Sequence, residues 1–532
     1  MKDAVNFGSN SKRQRSVYTR PLLSVLALII LGLVVATSGA QAQTPQLRMR
    51  WQDFVSGPDG AKRLASLQAA VQKMKSLNSS PHDSADYRRS WEYWANIHGY
   101  YGANSPDGTI EDQIQYLKSN GMRQYASYYQ GLTDLTAPDT TAQTVWATCQ
   151  HSGDSPALNF LGWHRMYLFF FEKVLRWAAN DDTLRLPYWD YTNPSQVALP
   201  AEFRDTASVL FDSRRAPDLN ANRSTLSSRS TNADSLLAET DFFSFESQLE
   251  GGLHGYIHCS VGPTCPVAHM GDVPLAANDP VFYSHHANID RMWACWQRLH
   301  GTPQGDWQNQ QFSFVDETGA MQTLPVKNFL DSTANGYAYD NESNCTRVRN
   351  VSMTGATPSA GSGVKRATIA TANGVAITQP DTSININPPH NVAGPVITPT
   401  DLVLREVIAE QPPGVLFDVY LAPKADPTKR QLVGTISWFG AFHHHGVTGP
   451  SKRTLRFNIS QQLHDMGIAP GTPLSALTVT VEASQGRVST DPTQASAMKA
   501  AAAAAFRPQA NLHIGGIDLE GPAPAATPSP QP

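Results

Sequence analysis

Residues 278–297 read NDPVFYSHHANIDRMWACWQ, and this segment is central to the expected fold. Asp279 before Pro280 predicts a helix start, because aspartate caps the first turn and proline fits the first helical position. Apolar residues then recur at helical spacing, which predicts a buried helix. The middle of this helix carries four polar side chains: His285, His286, Asp290 and Arg291. Burial of such groups is costly without partners, so either a hydrogen-bond network or a metal ion holds them.

A second motif, EGGLHGYIH at residues 250–258, places two histidines four positions apart. His254 and His258 therefore lie on one face of a helix and are close enough to bind one ion. The same spacing occurs in zinc proteases, but their motif needs glutamate directly after the first histidine, and here that residue is Gly255. With a histidine from the 278–297 helix, the pair makes a three-histidine site for a metal that this spacing does not identify.

Three further histidines lie on separate segments of the N-terminal half. His98 ends the run YWANIH, His151 follows Cys149 in CQH, and His164 begins the aromatic run HRMYLFFFE. These residues predict a second three-histidine site. Two sites made of imidazole, without carboxylate or thiolate ligands, suit a borderline-soft ion such as copper better than magnesium or calcium.

Together these motifs resemble those of the tyrosinase and polyphenol oxidase family, the type 3 dicopper proteins, over most of the chain. The resemblance implies one copper held by His98, His151 and His164, and another held by His254, His258 and His286. In the family's HHxNxD helix the second histidine is the ligand, so we expect His285 to support the ligands without binding copper. We expect Asp290 to orient His286, because a ligating imidazole needs a partner for its other nitrogen.

The resemblance also implies the chemistry, with two copper ions as cofactor. Such a site oxidises small o-diphenols to o-quinones with O2 as co-substrate, and some members also hydroxylate monophenols. Glu250 stands where plant-type members carry a glutamate that orders a water near the second copper, and such a water would act as a base. The alternative is a solvated helix carboxylate. Hydroxylating members often carry asparagine where this chain has Gly255, which argues against monophenol hydroxylation.

Three more residues are candidates for controlling access to the site. Val273, thirteen residues before His286, falls where family members place a gate, although ordinary loop packing would also explain it. Cys259 follows a ligand and either borders the substrate path or is simply bridged to Cys265. Latent family members cover the coppers with a side chain of the C-terminal domain, and we expect the turn near Phe442 to do so here. The alternative is an exposed histidine turn at 443–445.

Five cysteines leave at least one unpaired outside the cytoplasm. Cys149 resembles the cysteine of fungal tyrosinases and molluscan haemocyanins that forms a thioether with the second histidine, here His151. Cys259 and Cys265 enclose a short loop and are candidates for a disulfide, as are Cys295 and Cys345; the alternative is that all remain thiols.

A tyrosine pair near the end of the catalytic region adds to the resemblance. Tyr337-Ala-Tyr339 resembles the Tyr-x-Tyr mark that ends the catalytic domain of plant enzymes. Its usual partner is an N-terminal arginine, for which Arg48 and Arg50 are the candidates.

Composition and the N-terminus indicate an exported protein. The 532 residues are 41% hydrophobic with a net charge of −4, so nothing points to nucleic acid. Residues 1–42 combine basic residues, an apolar run and a small-x-small site, which predicts a secretory signal peptide. The alternative is an uncleaved anchor; otherwise we expect no membrane contact. We expect a periplasmic or extracellular location, and the sequence does not determine the oligomeric state.

The predicted fold is a mainly α catalytic domain followed by a small β-sandwich. We assign residues 43–350 to the catalytic domain, in which a four-helix bundle holds the dicopper centre. Residues 351–400 are expected to be a linker, and residues 401–485 alternate like strands and predict the sandwich, a candidate shielding domain. The tail, 486–532, is alanine- and proline-rich and is expected to be largely disordered.

Two rival functions remain beside the enzyme. A haemocyanin-like protein shares the dicopper site but only carries O2, and it usually consists of many linked units. A zinc hydrolase built on the HxxxH motif would need the missing glutamate and would not explain the second set of histidines.

Overall fold

The helix predicted from Asp279 and Pro280 is present, and it is the longest helix in the part of the chain that the structure describes. It spans Pro280–His300, and the Asp279 carboxylate accepts a hydrogen bond from the Val281 amide at 2.9 Å. The structure is a computed structural model that describes residues 45–103, 105, 107–134, 160–340, 345, 366–386, 400–442, 452–468 and 476–522. Pro45–Pro532 is one compact unit, and the predicted signal peptide lies outside the described residues.

Helices dominate the described chain up to about residue 300. A π-helical segment, Leu249–His254, interrupts them and joins two α-helices end to end. In chain order the α-helices are α1 (Trp51–Val55), α2 (Gly60–Ser76), α3 (Ala85–Arg88), α4 (Trp91–Asn96), α5 (Ile110–Ser119), α6 (Phe160–Ala179), α7 (Ala201–Arg204), α8 (Pro217–Asn220), α9 (Asp234–Ala238), α10 (Phe242–Gln248), α11 (Gly255–Val261), α12 (Val273–Ala276), α13 (Pro280–His300), α14 (Ser460–Asp465) and α15 (Ala495–Ala505).

Strands dominate the described chain after residue 300. In chain order they are β1 (Gln46–Arg48), β2 (Ser224–Leu226), β3 (Gln311–Val315), β4 (Met321–Pro325), β5 (Tyr337–Tyr339), β6 (Arg366–Ile377), β7 (Asp381–Ile386), β8 (Asp401–Val407), β9 (Leu416–Pro423), β10 (Gln431–Ile436), β11 (Arg453–Asn458), β12 (Leu477–Ser484), β13 (Arg487–Ser489) and β14 (Leu512–Pro522).

Two antiparallel four-stranded sheets make up most of the C-terminal part. One has the strand order β10-β9-β12-β7 and the other the order β11-β8-β14-β6. The predicted mainly helical core followed by a sheet-rich C-terminal part is therefore present. For brevity, residues 45–340 are called the helical part and residues 366–522 the sheet-rich part.

The prediction of a disordered tail is wrong for much of its length. β14 pairs with both β6 and β8, so it is an inner strand of its sheet. The alanine run forms α15, because alanine has the highest helix propensity of all residues. Composition alone does not reveal either element, since low complexity predicts disorder.

The segment expected to be a linker also contributes strands. β6 and β7 each lie at the edge of a four-stranded sheet. The side chains of β7 alternate between exposed and half-buried, and only Ile386 is buried. Asp381, Ser383 and Asn385 face outward, and these polar residues are the reason that the sequence of this segment predicts a coil.

The helical and sheet-rich parts share one hydrophobic core. Trp163 of α6 and Phe417 of β9 belong to the same buried cluster. Strand pairing also crosses between the parts, because β13 pairs with β2. No described helix is both long and apolar enough to cross a membrane.

The tyrosine pair predicted to meet an N-terminal arginine does so, and the partner is Arg48. β1 pairs in parallel with β5, which brings Arg48 opposite Tyr339. The Arg48 guanidinium lies 3.8 Å from the centroid of the Tyr337 ring. The region is also joined by a disulfide between Cys295 and Cys345.

Candidate functional site

Two of the predicted ligand histidines lie in one continuous helical run. His254 ends the π-helical segment and His258 lies in α11, with ring centroids 4.5 Å apart. The four-residue spacing thus brings the two imidazoles together, as the sequence predicted. π-Helical turns are rare in proteins, and those that do occur are often found at functional sites.

Histidines from three other segments meet this pair. His286 comes from α13, His164 from α6, and His98 from the residues just after α4. Nε2 of His286 is 3.3 Å from Nε2 of His258, and the His286 ring stacks on that of His164 with centroids 4.5 Å apart. His98 and His164 have centroids 5.6 Å apart.

The histidines form two overlapping groups, in each of which the candidate ligand atoms lie within 4.8 Å of one another. The first group contains His98, His164 and His286, and the second contains His254, His258, His285 and His286. All six side chains are buried. His151 and Cys149 lie outside the described residues, so only His98 and His164 of the first predicted copper set are described.

Backbone carbonyl oxygens fix the orientation of four of these rings. Each Nδ1 lies within hydrogen-bond distance of one carbonyl: His98 of Val273 (3.2 Å), His164 of Phe160 (2.7 Å), His254 of Glu250 (3.1 Å) and His258 of Met270 (3.0 Å). An Nδ1–H that donates to a carbonyl sets the tautomer and leaves Nε2 as the ligand atom. Outer-shell partners of this kind are the usual companions of metal-binding imidazoles.

One loop orients histidines of both groups. Met270 and Val273 supply carbonyls to His258 and His98, respectively. Asp272 lies between them, and its carboxylate accepts hydrogen bonds from the hydroxyls of Tyr101 and Tyr129, each at 2.8 Å. Val273, predicted as a gate, is thus buried and contacts His98 through its backbone.

His285, predicted to support the ligands, belongs to the second group together with His286. Its Nδ1 lies 2.8 Å from the Tyr191 hydroxyl, and its Nε2 has no hydrogen-bond partner among the described residues. Its ring stacks on that of His254 with centroids 5.4 Å apart. Tyr191 belongs to the PYWDY run at 187–191, but the sequence gives no sign that its hydroxyl reaches this histidine.

Burial favours the neutral form of three of these imidazoles. It is the largest cause that lowers the pKa of His258, His285 and His286, and the neighbouring histidines lower it further. A protonated imidazole has no lone pair to offer a metal, so a lowered pKa favours the form that binds one.

Asp290 does not orient His286, which corrects the sequence prediction. Its two oxygens accept hydrogen bonds from two guanidinium groups and two hydroxyls: Arg165 (2.5 Å), Arg48 (3.1 Å), Tyr337 (2.8 Å) and Tyr339 (2.6 Å). Nδ1 of His286 has no hydrogen-bond partner in the described residues. The helical spacing placed Asp290 near His286, but four stronger donors occupy the carboxylate.

The side chain that covers the histidines is Phe439, whereas the sequence placed this contact at Phe442. The Phe439 ring stacks on His258 with centroids 3.8 Å apart and an interplanar angle of 7°. It also meets His254 edge-on at 5.4 Å. Phe442, half-buried, contacts Trp438 instead. The observed contact thus lies three positions before the predicted one, in a turn closed by the hydrogen bond from the Ala441 amide to the Trp438 carbonyl at 3.0 Å.

Gly255 has a steric reason to be glycine. A Cβ at this position would lie 2.5 Å from Oγ of Ser437, closer than real Cβ atoms come to such an atom. The Ser437 hydroxyl donates to the Gly251 carbonyl at 3.1 Å, which holds the sheet-rich part against the π-helical segment. Asparagine, common here in hydroxylating members of the family, would not fit with Ser437 in this position.

A half-buried arginine holds the covering segment. Arg453 donates to the carbonyls of Ser437 and Phe439 at 2.7 and 2.8 Å. Burial lowers its pKa to about 10, although Glu250 acts to raise it. Glu250 is half-buried. It therefore lies within electrostatic reach of the segment that carries the covering ring.

Cys259 is joined to Cys265 by a disulfide, so the prediction of a bridge between these two cysteines is confirmed. The residues that the sequence did not indicate are Tyr191, Met270, Ser437, Phe439, Arg453 and the buried acid Glu246.

The helical fold and its buried imidazole groups form a candidate metal site that is built entirely from histidine in the described residues. Residues 88–216 and 202–299 match a protein-family model described as the common central domain of tyrosinase. The chain therefore contains the central domain of the tyrosinase and polyphenol oxidase family, and the resemblance inferred from its histidine motifs is confirmed.

Curated relatives agree with this placement. The chain is 30% identical over 218 residues to a chloroplastic polyphenol oxidase of Malus domestica, covering 34% of this chain and 37% of that protein. It is 31% identical over 277 residues to the tyrosinase HcTyr1 of Hahella sp. (strain CCB-MM4), covering 43% and 57%. The aligned parts thus span less than two thirds of these relatives.

Solved structures show the same fold over most of the chain. The latent apple tyrosinase aligns with a TM-score of 0.52 and 18% identity, covering 90% of this chain and 97% of that one. A latent aurone synthase, a polyphenol oxidase, aligns with a TM-score of 0.53 and 19% identity, covering 91% of each. The likeness therefore includes the sheet-rich part.

Proposed function

We propose that this chain is a copper-dependent polyphenol oxidase that oxidises o-diphenols to o-quinones with O2. One observation carries the proposal: two overlapping groups of buried histidines lie inside a tyrosinase-family domain. The tyrosinase family uses a dinuclear copper centre. In the balanced reaction, two diphenols each lose two electrons and two protons, and one O2 is reduced to two waters.

The side chains present fit two copper ions. The donors are imidazoles, which suit copper, and four of them have Nδ1 turned toward a carbonyl. We assign one ion to His98, His164 and the undescribed His151, and the other to His254, His258 and His286. His285 supports this second set, since Tyr191 holds its ring. When bound, the copper pair supplies the binding of O2 and the acceptance of electrons from the phenol.

The protein's own residues would bind the phenol and take up its protons. The site is apolar around the histidines, with the Phe282 ring 4.2 Å from that of His286 and the Phe160 ring 4.7 Å from that of His254. Such walls exclude water and accept an aromatic ring. Glu250, in the π-helical segment that ends at His254, is the proposed base that receives a phenol proton, through an ordered water.

Diphenol oxidation is proposed as the main activity, ahead of monophenol hydroxylation. Asparagine in place of Gly255 would help to hold the basic water, and Ser437 takes the space that such a side chain needs. Without this second support for the water, removal of the proton from a monophenol would be less efficient.

The sheet-rich part is proposed as a shield, with Phe439 over the second set of histidines. The stacked ring occupies the face of His258 on which a phenol would otherwise pack. The same coverage supports a second candidate function, a dioxygen carrier, because a carrier needs a site that substrates do not reach. We also propose that the two four-stranded sheets pack as a sandwich and that four helices carry the ligands as a bundle.

The N-terminal and cysteine predictions belong to the proposal as well. We propose that residues 1–42 direct export and that Cys149 forms a thioether with His151. Intact-mass measurement of a tryptic peptide that contains both residues tests the link, because thioether formation removes two hydrogens.

Oxygen uptake by the copper-loaded full chain tests the proposed function. With catechol as substrate, we expect turnover that rises when Phe439 is changed to alanine, and with tyrosine we expect much slower uptake. Removal of the whole sheet-rich part would be a poor test, since it would open the shared core. Two bound coppers without catechol turnover in either protein would favour the carrier, and no copper binding would refute both functions.

A further inference from the structure

A buried acid close to the histidines has no part in the proposed function so far. Glu246 lies in α10, one helical turn before Glu250, and its side chain is fully buried. Its Oε1 accepts a hydrogen bond from the Leu161 amide at 2.9 Å, and its Oε2 has no partner among the described residues. Burial of a carboxyl group is costly, so its position calls for a specific gain.

Leu161 is the second residue of α6, the helix that carries His164. Amide groups in the first turn of a helix have no partner within the helix, and an acceptor from elsewhere satisfies them. Glu246 provides that acceptor from a different helix. The bond therefore fixes the start of α6 against α10.

The same peptide unit is bound at its other end by His164. The carbonyl of Phe160 and the amide of Leu161 belong to one planar peptide group. The Phe160 oxygen lies 2.7 Å from Nδ1 of His164, and the Leu161 amide donates to Glu246. Hydrogen bonds at both ends of a peptide strengthen each other, because each polarises the amide.

The peptides that serve two other histidines lack a side-chain anchor of this kind. The Met270 carbonyl, which lies against His258, shares a peptide group with the Gly271 amide. That amide donates to the backbone oxygen of Ala268 at 3.0 Å, so its partner is not a side chain. The Val273 carbonyl, which lies against His98, shares a peptide group with the nitrogen of Pro274, and proline has no amide hydrogen. Glu246 thus gives His164 a support that His98 and His258 do not receive in this form.

We propose that Glu246 is a positioning residue for His164, which it orients through the peptide group between Phe160 and Leu161. The inference rests on the proposed function, since it takes His164 as a copper ligand. Burial raises the pKa of Glu246 to about 8. The hydrogen bond from the Leu161 amide acts to lower this pKa, and the nearby Glu250 acts to raise it. The positioning role needs only an oxygen that accepts, and both protonation states provide one.

Glu246→Met removes the acceptor while keeping an unbranched side chain of similar size, and Glu246→Gln keeps an acceptor oxygen. Asp241→Ala is the matched control, because Asp241 caps the start of the same helix by accepting from the Ser244 amide and is exposed. The measurements are copper content of the loaded full chain and the rate at which a Cu(I) chelator removes each ion.

We expect the original chain, Asp241→Ala and Glu246→Gln to hold two coppers. In Glu246→Met we expect one of the two ions to leave about 10- to 100-fold faster. Loss of a group that supports a metal-binding histidine typically lowers metal affinity by about this factor. Equal release rates for both ions in Glu246→Met and the original chain would overturn the inference. The inference would also be overturned if Glu246→Gln released copper as much faster as Glu246→Met does.

A second variant tests the bond from the donor side, in case Glu246→Met does not fold. Leu161→Pro removes the amide hydrogen at a first-turn position where proline is tolerated. It should speed the release of the same single ion, and unchanged release would again overturn the inference. An original chain that binds no copper would instead refute the proposed function itself, so the two failures are distinguishable.

Discussion

The helical part and the sheet-rich part meet the candidate site in different ways. The helical part supplies every histidine of the two described groups and the carbonyls that orient four of them. The sheet-rich part supplies one stacked ring, Phe439, held in place by Arg453. Binding of the metals and access to them therefore depend on separate residues, and each should change without the other.

The largest effect is expected from the helical part. His258→Ala removes an imidazole that lies beside His286 and beneath Phe439. We expect copper content to fall by at least one ion and catechol oxidation to fall more than about 100-fold, since loss of a ligand should exceed the loss of a ligand's partner. Copper analysis and oxygen uptake measure the two effects. Retention of both ions would contradict the ligand assignment.

The next largest effect concerns stability within the helical part. Asp290→Asn leaves Arg48 and Arg165 without their shared buried carboxylate, and breaking such a buried pair costs about 3–5 kcal/mol. Denaturant unfolding at pH 7 measures the loss. A change below about 1 kcal/mol, typical of an exposed ion pair, would show that this network does not hold the helices together.

The same aspartate gives stability a defined pH dependence. Burial acts to raise the pKa of Asp290, but Arg165 and Arg48 outweigh it, so that the pKa lies below its ordinary value. A lowered folded pKa means that the contribution is present above the unfolded pKa of about 4 and is lost as the pH falls further. The difference in unfolding free energy between Asp290→Asn and the original chain should therefore shrink below about pH 4.

A smaller effect, opposite in sign, is expected from the sheet-rich part. Phe439→Ala uncovers His258 and should raise catechol turnover about tenfold, which corresponds to about 1.4 kcal/mol of barrier. Copper content should stay at two ions. Kinetics on the full chain measure the change, and Phe442→Ala is the control, since Phe442 contacts Trp438 and no histidine of the two groups. Equal gains in both variants would mean that loosening of the turn, and not the ring, controls access.

A further effect, on stability alone, is expected at the boundary between the two parts. Gly255→Ala forces a Cβ against Ser437, and overpacking of this kind costs about 1–3 kcal/mol. Ser437→Ala in the same chain should relieve most of that cost. Denaturant unfolding of the single and double variants gives the coupling. If the two changes were simply additive, the close approach of these residues would not matter.

Much of the helical site was predictable because its signals are local. The four-residue spacing of His254 and His258 gives one helix face, and Asp279-Pro280 gives the start of α13. Arg48 was one of two predicted partners of the tyrosine pair. His151 and Cys149 remain predictions, since the structure does not describe them.

The sheet-rich part was less predictable because its contacts join distant residues. Phe439 reaches His258 from 181 positions along the chain, and no motif near either residue indicates the contact. Asp290 shows the same limit within the helical part, because its arginine and tyrosine partners come from three other segments. β14 was missed for a similar reason, since pairing with β6 and β8, and not its composition, makes it a strand.

Anomalous X-ray diffraction at the copper absorption edge, from crystals of the copper-loaded full chain, tests the central claim most directly. We predict two peaks a few ångströms apart, one beside His98 and His164 and the other beside His254 and His258. A single peak, or none among these imidazoles, would contradict the account.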